Sequence, residues 1–212
     1  MNEPTPLLLF FDYVDPSSYL LHHRLLERGL RPGEGYFPLP FEVNPPPNPL
    51  LDPGEGEWKD RWDRALVQAR EMGLPLVRPR IVPWTRKAHE LALHAGEQDR
   101  FGAVHDALFR AFLVEGLDLG RVDVLVELAR DLGLDHGETK AVLDVDRYAE
   151  TVERLRSEAL EAGIRGVPTI MVEGRRLEGI HPAEAIQAFL AGHDERDTTV
   201  RDTPAQDTTE ER

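Results

Sequence analysis

The 212-residue chain contains no cysteine. Its own side chains therefore form no disulfide, give no thiolate to a metal ion and carry out no dithiol chemistry. The sequence also lacks an excess of basic charge, because it has 25 Lys and Arg against 39 Asp and Glu, a formal net charge of −14. This balance argues against electrostatic binding to nucleic acid or to an anionic membrane, and we expect neither as a partner.

Long apolar runs are missing as well. No stretch approaches the ~18 apolar residues of a membrane-spanning helix. The first six residues, MNEPTP, have neither a basic region nor the apolar segment of a signal peptide. We therefore expect a cytoplasmic protein. With 41% hydrophobic residues the chain is able to bury a core, as one domain with a large insertion or as two small domains.

Residues 89–94 are similar to a zinc-protease signature, but their histidine spacing does not favour a metal site. His89 and His94 fall in one predicted helix, where their positions in the sequence place their side chains about 140° apart around the axis. The two rings therefore cannot share one ion, and we predict no metal site. His22 and His23 fall in another predicted helix and are expected at its surface.

The first 50 residues have the pattern of a strand, a helix and a second strand. Residues 7–11 are a continuous apolar run, as in a strand buried on both faces. Residues 16–28 have helical spacing, and residues 36–43 alternate despite two prolines, which favour a position at the sheet edge or at a bulge. A strand, helix and strand of this length predict parallel pairing of the two strands.

The middle of the chain has the pattern of successive helices separated by Gly or Pro. We predict helices over residues 58–72, 85–95, 100–114, 121–132 and 147–162. This long helical stretch interrupts the strands on either side of it.

The end of the chain returns to strands. Residues 168–172 are predicted as a strand, and a tight turn at 173–176 lets residues 177–178 pair back as a hairpin. His181 and the residues up to position 184 have the pattern of a helix start, with proline at the first helical position.

These elements together predict an α/β protein with one interrupted domain. Residues 1–56 and 146–192 form that domain, and residues 57–145 form a helical domain inserted in it. The polar residues 193–212 are predicted to be a disordered tail.

Two turns are the candidate positions for chemistry. Residues 15–19, Asp-Pro-Ser-Ser-Tyr, follow the first strand and open a helix, and residues 166–169, Gly-Val-Pro-Thr, lead into a later strand. The free N–H groups at a helix start stabilise an anion. Asp15 supplies its own carboxylate, which we expect to accept hydrogen bonds from the amides of Ser17 and Ser18 as an N-cap.

Five motifs in this sequence resemble motifs of one known family, in the same order along the chain. They are Asp15-Pro16-Ser17-Ser18-Tyr19, Phe41-Glu42-Val43-Asn44-Pro45, Trp84-Thr85-Arg86-Lys87-Ala88-His89, Gly166-Val167-Pro168-Thr169 and Gly179-Ile180-His181-Pro182. The family is that of DsbA, and the motifs are most similar to its FrnE-like branch of predicted dithiol oxidoreductases. The resemblance runs from about residue 6 to 191 and implies a thioredoxin-like fold with a helical domain inserted.

The resemblance also implies a ligand site, although the family's two sulfurs are absent. In the FrnE-like branch the helix opens with Cys-Pro-Trp-Cys-Tyr, and this chain has Asp15 and Ser18 at the two cysteine positions. In thioredoxin-type proteins the proline that corresponds to Pro168 is cis. The residue before it, Val167 here, offers its backbone N–H and C=O to a peptide or to glutathione. The ligand-binding residues implied in this way are Pro16, Ser17, Tyr19, Val167, Pro168, Thr169 and His181.

A second resemblance concerns the 2-hydroxychromene-2-carboxylate isomerases and the kappa-class glutathione transferases. Their helix opens with Ser-Pro-Tyr-Ser-Tyr or a similar sequence, and the hydroxyl of its first serine bonds the sulfur of glutathione. Here Asp15 takes that position. A second anion within about 4 Å of its carboxylate costs roughly 1 to 4 kcal/mol. Glutathione therefore stays a candidate ligand only if its thiol is protonated or Asp15 takes up the proton.

Several functions remain open for this sequence. The motif around Asp15 is in the simplest case only a helix cap. The chain is alternatively a binding protein, which holds a peptide or a small anionic or thiol compound and needs no cofactor. As an isomerase-like or transferase-like enzyme it would use glutathione, with Ser17 or Ser18 in place of the usual serine and Asp15 as acid or base, so Asp15 and Ser18 are the candidate catalytic residues. A scaffold that works through a homodimer face is a further alternative.

Overall fold

A mixed sheet of four strands organises the fold. The computed structural model describes the backbone of residues 6–199 and the side chains of residues 6–192. The strands are β1 (Leu8–Phe11), β2 (Phe37–Pro40), β3 (Thr169–Val172) and β4 (Arg175–Glu178), in the order β2-β1-β3-β4. β1 pairs with β2 in parallel and with β3 antiparallel, so the predicted parallel pairing and the edge position of the proline-containing strand are confirmed.

The hairpin between β3 and β4 is tighter than predicted. Glu173 and Gly174 alone form the turn, both with positive φ, 51° and 72°. Two residues with positive φ match the right-handed twist of the strands that they connect. Arg175 therefore already lies opposite Val172 in the ladder, and the predicted four-residue turn is wrong by two residues.

Eight helices are described between residues 6 and 199. They are α1 (Pro16–Glu27), α2 (Gly56–Glu71), α3 (Arg86–Gly96), α4 (Phe101–Leu113), α5 (Val122–Asp131), α6 (His136–Asp144), α7 (Ala149–Glu161) and α8 (Ala183–Thr199). All except α6 correspond to predicted helices. α6 spans nine residues and is capped by Asp135, whose carboxylate accepts a hydrogen bond from the amide of Glu138 at 2.7 Å. None of these helices has the length and hydrophobicity needed to span a membrane.

Tertiary contacts divide the chain into two compact units. The first ends at Ile180 and contains the sheet, the helices α1 to α7 and both candidate turns, and the second begins at His181 and contains α8. The inserted domain predicted over residues 57–145 lies inside the first unit, and its boundaries stay a prediction. The backbone of α8 continues to Thr199, into the segment predicted as a disordered tail. The rest of that tail, residues 200–212, lies outside the described residues.

One buried apolar cluster holds the turn that precedes β3. Phe10 of β1 and Phe41 lie in it together with Ala159 of α7, Ile164 and Val167. Burying these side chains stabilises the fold by roughly 25 cal/mol for each Å² of apolar surface removed from water. The cluster therefore anchors Val167 on the sheet and on α7 at the same time.

His22 is buried, so the expectation that it lies at the surface is wrong. Its Nδ1 lies 2.5 Å from the hydroxyl of Tyr36, and its Nε2 lies 2.9 Å from Oδ1 of Asp106 on α4. Each of the two ring nitrogens thus has a hydrogen-bond partner, which offsets the cost of burying a polar ring. The packing of α4 against α1 causes this burial, and the sequence of α1 alone does not predict it. His23, the next residue, is half-buried.

Candidate functional site

The first turn forms the predicted N-cap of α1. Asp15 is fully buried, and its Oδ2 accepts hydrogen bonds from the amide of Ser18 at 2.8 Å and from its hydroxyl at 2.6 Å. The predicted bond from Ser18 is therefore present, whereas the bond expected from the amide of Ser17 is not among the contacts of Asp15. Pro16 occupies the first helical position, as its fixed φ favours. A carboxylate thus lies at the position of the first family cysteine.

Arg61 of α2 completes the site, and sequence reasoning missed it. Its Nη1 donates to Oδ1 of Asp15 at 2.7 Å and to the carbonyl oxygen of Val167 at 3.1 Å. The guanidinium lies over the ring of Trp58, 5.3 Å from the ring centre. The side chain of Arg61 is 32% exposed, while that of Asp15 has no exposure. One side chain therefore joins the two candidate turns and faces solvent at the same place.

Burial of Asp15 and its contacts with Arg61 and Ser18 shift its pKa in opposite directions. Burial raises the pKa of Asp15 above its ordinary value, since the charged form loses its hydration. The charge of Arg61 and the hydrogen bonds from Ser18 lower that pKa, and they offset the effect of burial only in part. Asp15 is therefore a carboxyl group that holds a proton more tightly in the folded protein than in the unfolded chain.

This raised pKa predicts a specific dependence of stability on pH. Because folded Asp15 binds its proton more tightly, its contribution to stability is full below the unfolded pKa near 4 and is lost as pH rises through the folded value. We expect the stability of the wild type relative to Asp15→Asn to fall as pH is raised from 4 to 7. Urea unfolding of both proteins at several pH values measures this difference. A difference that is constant over the whole range would contradict the raised pKa.

The second turn is held by hydrogen bonds on both sides of its proline. The Val167–Pro168 peptide bond is cis. The hydroxyl of Thr169 donates to the carbonyl oxygen of Gly166 at 2.8 Å, and the amide of Gly179 donates to the carbonyl oxygen of Pro168 at 2.7 Å. In the described part of the chain the amide of Val167 donates no hydrogen bond. This backbone donor lies next to the carbonyl that Arg61 binds.

The other residues predicted around the site have different surroundings. Ser17 is half-buried, whereas Ser18 is fully buried. The ring of Tyr19 is also buried and lies edge-on to His23, with the two ring centres 4.5 Å apart. His181 belongs to the second unit, where it precedes α8. The roles of these residues in binding or catalysis stay predictions.

Asp12, just before the first turn, fixes the backbone of the site. Its Oδ2 accepts from the amide of Val43 at 2.8 Å, and its Oδ1 lies 3.2 Å from Nε2 of His89. Its carbonyl oxygen accepts from the amide of Asp15 at 3.1 Å, and its own amide donates to Oγ of Ser18 at 3.4 Å. Asp12 and His89 are both fully buried. Asp12 therefore connects the ends of β1 and β2, the inserted helix α3 and the cap of α1.

A second buried ion pair joins the same segments of the chain. Arg86 of α3 lies 2.9 Å from Oε2 of Glu42, which has no exposure, and it also contacts Glu153 of α7. Two of the motifs quoted above, residues 41–45 and 84–89, thus lie in contact, although more than 40 residues separate Arg86 from Glu42 in sequence. No group of three or more side chains able to hold a metal ion occurs in the described residues.

The fold and the site together define a class of protein. The sheet order, the cis proline before β3 and the helix start opposite it are those of a thioredoxin-type protein, with carboxylate and hydroxyl in place of its sulfurs. The family model of the DsbA-like thioredoxin domain matches residues 57–191. The chain therefore belongs to the DsbA-like family, and the predicted family is confirmed.

Two known proteins are similar to this chain over most of its length or more than half of it. The uncharacterized protein YwbO of Bacillus subtilis (strain 168) is 30% identical over 139 residues, which cover 63% of this chain and 70% of YwbO. A solved structure of a probable DsbA oxidoreductase from Streptomyces coelicolor superposes with a TM-score of 0.78 at 24% identity, and the match covers 96% of this chain and 94% of the other.

Two further solved structures share the fold at lower identity. A 2-hydroxychromene-2-carboxylate isomerase has a TM-score of 0.72 at 18% identity, with 92% of this chain and 99% of the other covered. The cytosolic disulfide reductase DsbM of Pseudomonas aeruginosa, solved with glutathione, has a TM-score of 0.62 at 19% identity, with the same coverage of 92% and 99%. These likenesses confirm the predicted thioredoxin-like fold with a helical insertion.

Proposed function

We propose that this protein binds a small thiol or anionic compound of the glutathione type, or an extended peptide, at the cleft between Asp15 and Pro168, and does not itself exchange disulfides. One observation carries the proposal. Arg61 bridges the carboxylate of Asp15 and the carbonyl of Val167, at the two positions where a thioredoxin-type protein has its sulfur and its backbone contact to a ligand.

The residues at the helix start argue against disulfide exchange. Exchange needs a thiolate that attacks a disulfide sulfur. The carboxylate of Asp15 occupies the helix start, with both its oxygens hydrogen-bonded, and the chain contains no cysteine. We therefore expect no reduction of insulin by this protein above the uncatalysed rate. Turnover without an added thiol carrier would contradict the proposal.

Arg61 supports an anionic ligand. Its Nη1 makes both of the bonds described above, and in the described part of the chain Nη2 and Nε make no hydrogen bond. A guanidinium with two free donors binds a carboxylate in bidentate geometry. Arg61 also neutralises Asp15, so the repulsion expected from the sequence between Asp15 and an anion is weakened.

Val167 supports a ligand with an extended backbone. Its amide donates no hydrogen bond within the described residues, and its carbonyl accepts only from Arg61. The backbone of an extended ligand can accept from this amide and donate to this carbonyl, as a strand added to a sheet does. Glutathione and short peptides have both the carboxylate and the amide groups that this arrangement would bind, and so glutathione remains the candidate ligand.

Binding is tested most directly by thermal unfolding with reduced glutathione and with S-methylglutathione, which lacks a free thiol. A ligand at about 100 times its dissociation constant stabilises the fold by roughly 2.7 kcal/mol. We expect both compounds to raise the melting temperature, because the carboxylates and the backbone supply the contacts. We expect Arg61→Lys to weaken binding about tenfold, since lysine keeps the charge and loses the planar pair of donors.

Lys59→Met is the matched control on the same helix. Lys59 is exposed and pairs with Asp63 at 2.6 Å, so its removal takes away one positive charge of α2 without touching Asp15 or Val167. This variant is expected to bind as the wild type does. Equal weakening by Lys59→Met and Arg61→Lys would indicate unspecific attraction of an anion, and the absence of any shift with either compound would contradict a glutathione-type ligand.

One observation favours a second candidate, a glutathione-dependent isomerase or transferase. The hydroxyl of Ser18 donates to Asp15 at 2.6 Å, and burial raises the pKa of Asp15, so this carboxyl is suited to give and take a proton. Because both side chains are fully buried, a substrate reaches them only after Arg61 moves aside. Stabilisation by reduced glutathione that is much larger at pH 6 than at pH 8, and absent with S-methylglutathione, would favour this enzyme over the binding protein.

A further inference from the structure

A groove on the helical part of the first unit is unrelated to the ligand site described above. It lies between α4 and α5 and has a volume of about 640 Å³. Ala103 and Ala107 of α4 and Val124 and Leu128 of α5 line its apolar part, together with Leu117 in the loop between these helices.

A second cavity adjoins the groove, because Leu117 lines both. This cavity has a volume of about 290 Å³ and is lined by the extended segment that precedes α3, including Val77 and Ile81, and again by Leu117. Val77, Ile81 and Leu117 are 49%, 43% and 40% exposed. Large apolar side chains grouped on the surface in this way mark an interaction site.

The two ends of this joined groove carry opposite charge. The end between α4 and α5 is lined by five acidic side chains and one basic side chain, Arg110. The other end is lined by Arg78, Arg80 and one acidic residue, Asp118. Arg78 pairs with Asp63 of α2, whereas Arg80 is exposed and has no ion-pair partner within residues 6–192. In a chain with a net charge of −14, a basic end next to apolar surface is unusual.

We infer that this groove is the interface of a homodimer, with a second copy of the chain as its occupant. A two-fold axis near Leu117 places the basic end of each copy against the acidic end of the other, as a two-fold interface requires of a self-complementary surface. The apolar centre around Leu117 is then buried, and the charged ends form the rim. An arrangement that places the acidic ends of the two copies together is disfavoured, because their acidic side chains repel each other.

The local ion pairs of the acidic end do not prevent this pairing. Asp123 lies 2.6 Å from Arg121 and Asp131 lies 3.0 Å from Arg130, and all four side chains are more than half exposed. Exposed pairs of this kind contribute about 0 to 1 kcal/mol each. Their carboxylates therefore remain available to Arg78 and Arg80 of a second copy at little cost.

Sedimentation equilibrium of the purified chain at micromolar concentration tests the interface. We expect the wild type to be a dimer and Leu117→Asp to be a monomer, since the change places a charge in the apolar centre. Val67→Asp is the matched control, because Val67 is 52% exposed on α2 and lines neither cavity. A monomeric wild type, or a Leu117→Asp variant that dimerises like the control, would overturn the inference.

Mixing two charge-reversed variants distinguishes a second copy from any other partner. The first variant carries Arg78→Glu and Arg80→Glu, so both of its ends are acidic. The second carries Asp123→Lys and Glu127→Lys, so the end between α4 and α5 loses two negative charges and gains two positive charges. Each variant alone is expected to dissociate at least about tenfold more readily than the wild type, since like charges then meet at the rim. The two mixed together are expected to form a heterodimer. Failure of the mixture to associate more tightly than either variant would overturn the two-fold arrangement.

Discussion

Replacing Arg61 with methionine is expected to lower the free energy of unfolding at pH 7 by about 3 kcal/mol. Methionine is an unbranched side chain without charge, and it removes the guanidinium that faces Asp15 and lies over the ring of Trp58. The fully buried carboxylate then keeps its bonds from Ser18 and has lost the cation that paired with it. Because an uncompensated buried charge is destabilising, Asp15 either stays charged at this cost or takes up a proton. Chemical denaturation of wild type and variant measures the loss.

Two controls separate the loss of the ion pair from other effects of the substitution. Lys59→Met removes an exposed cation of the same helix and should change stability by less than about 0.5 kcal/mol. In the background of Asp15→Asn, Arg61→Met should cost much less than in the wild type, because no charge is then left unpaired. The loss caused by Arg61→Met should also shrink at pH 5, where Asp15 is more easily protonated. A loss of equal size in both backgrounds would assign it to packing.

Replacing Asp12 with alanine is the second change with a large expected effect, about 3 kcal/mol or more of the free energy of unfolding. The variant leaves the part-buried amide of Val43 and the buried ring of His89 without their acceptor. Each buried donor that loses its partner costs about 1 to 3 kcal/mol. Asp12 also positions the backbone to which Asp15 and Ser18 bond, and so the damage extends to the helix cap.

Asp12→Asn provides the matched comparison for this effect. Asparagine has the same shape and keeps one oxygen for the amide of Val43, so we expect it to lose about 1 kcal/mol. Hydrogen exchange of the Val43 amide reports the local change, because this amide bonds the side chain of Asp12. The Asp15 amide bonds the backbone carbonyl of residue 12, which both variants keep, and it serves as the internal reference. Fast exchange of the Val43 amide in Asp12→Ala and its protection in Asp12→Asn are expected. If the two variants were equally stable, the buried hydrogen bonds of Asp12 would not be the source of the effect.

The sequence predicted those parts of the fold that depend on neighbouring residues. The apolar run before Asp12, the proline at the first position of α1 and the strand before Glu173 are local signals, and the structure has the corresponding elements. The parallel pairing of β1 and β2 followed from the length of the connection between them. The cap formed by Asp15 is also a local feature, since its partner Ser18 is three residues away, and it was predicted for that reason.

The candidate site was predicted only in part, because two of its contacts join distant segments. Arg61 lies 46 positions after Asp15 and 106 positions before Val167, and it appears in the sequence as one of many arginines on an amphipathic helix. His89 lies 77 positions from Asp12. The burial of His22 depends likewise on Asp106, which belongs to another helix. No pattern in a single sequence shows which residues of two packed helices meet.

By itself the sequence determined the absence of cysteine, the described strands and helices except α6, the family and the cap at Asp15, because composition and short-range spacing decide these features. Only the tertiary structure decided the electrostatic character of the site. The packing of α2 against α1 brings Arg61 to Asp15 and Val167 and leaves its guanidinium partly exposed. Whether a buried carboxylate is charged, and what it can bind, depends on the groups within a few ångströms, and these come from distant parts of the chain.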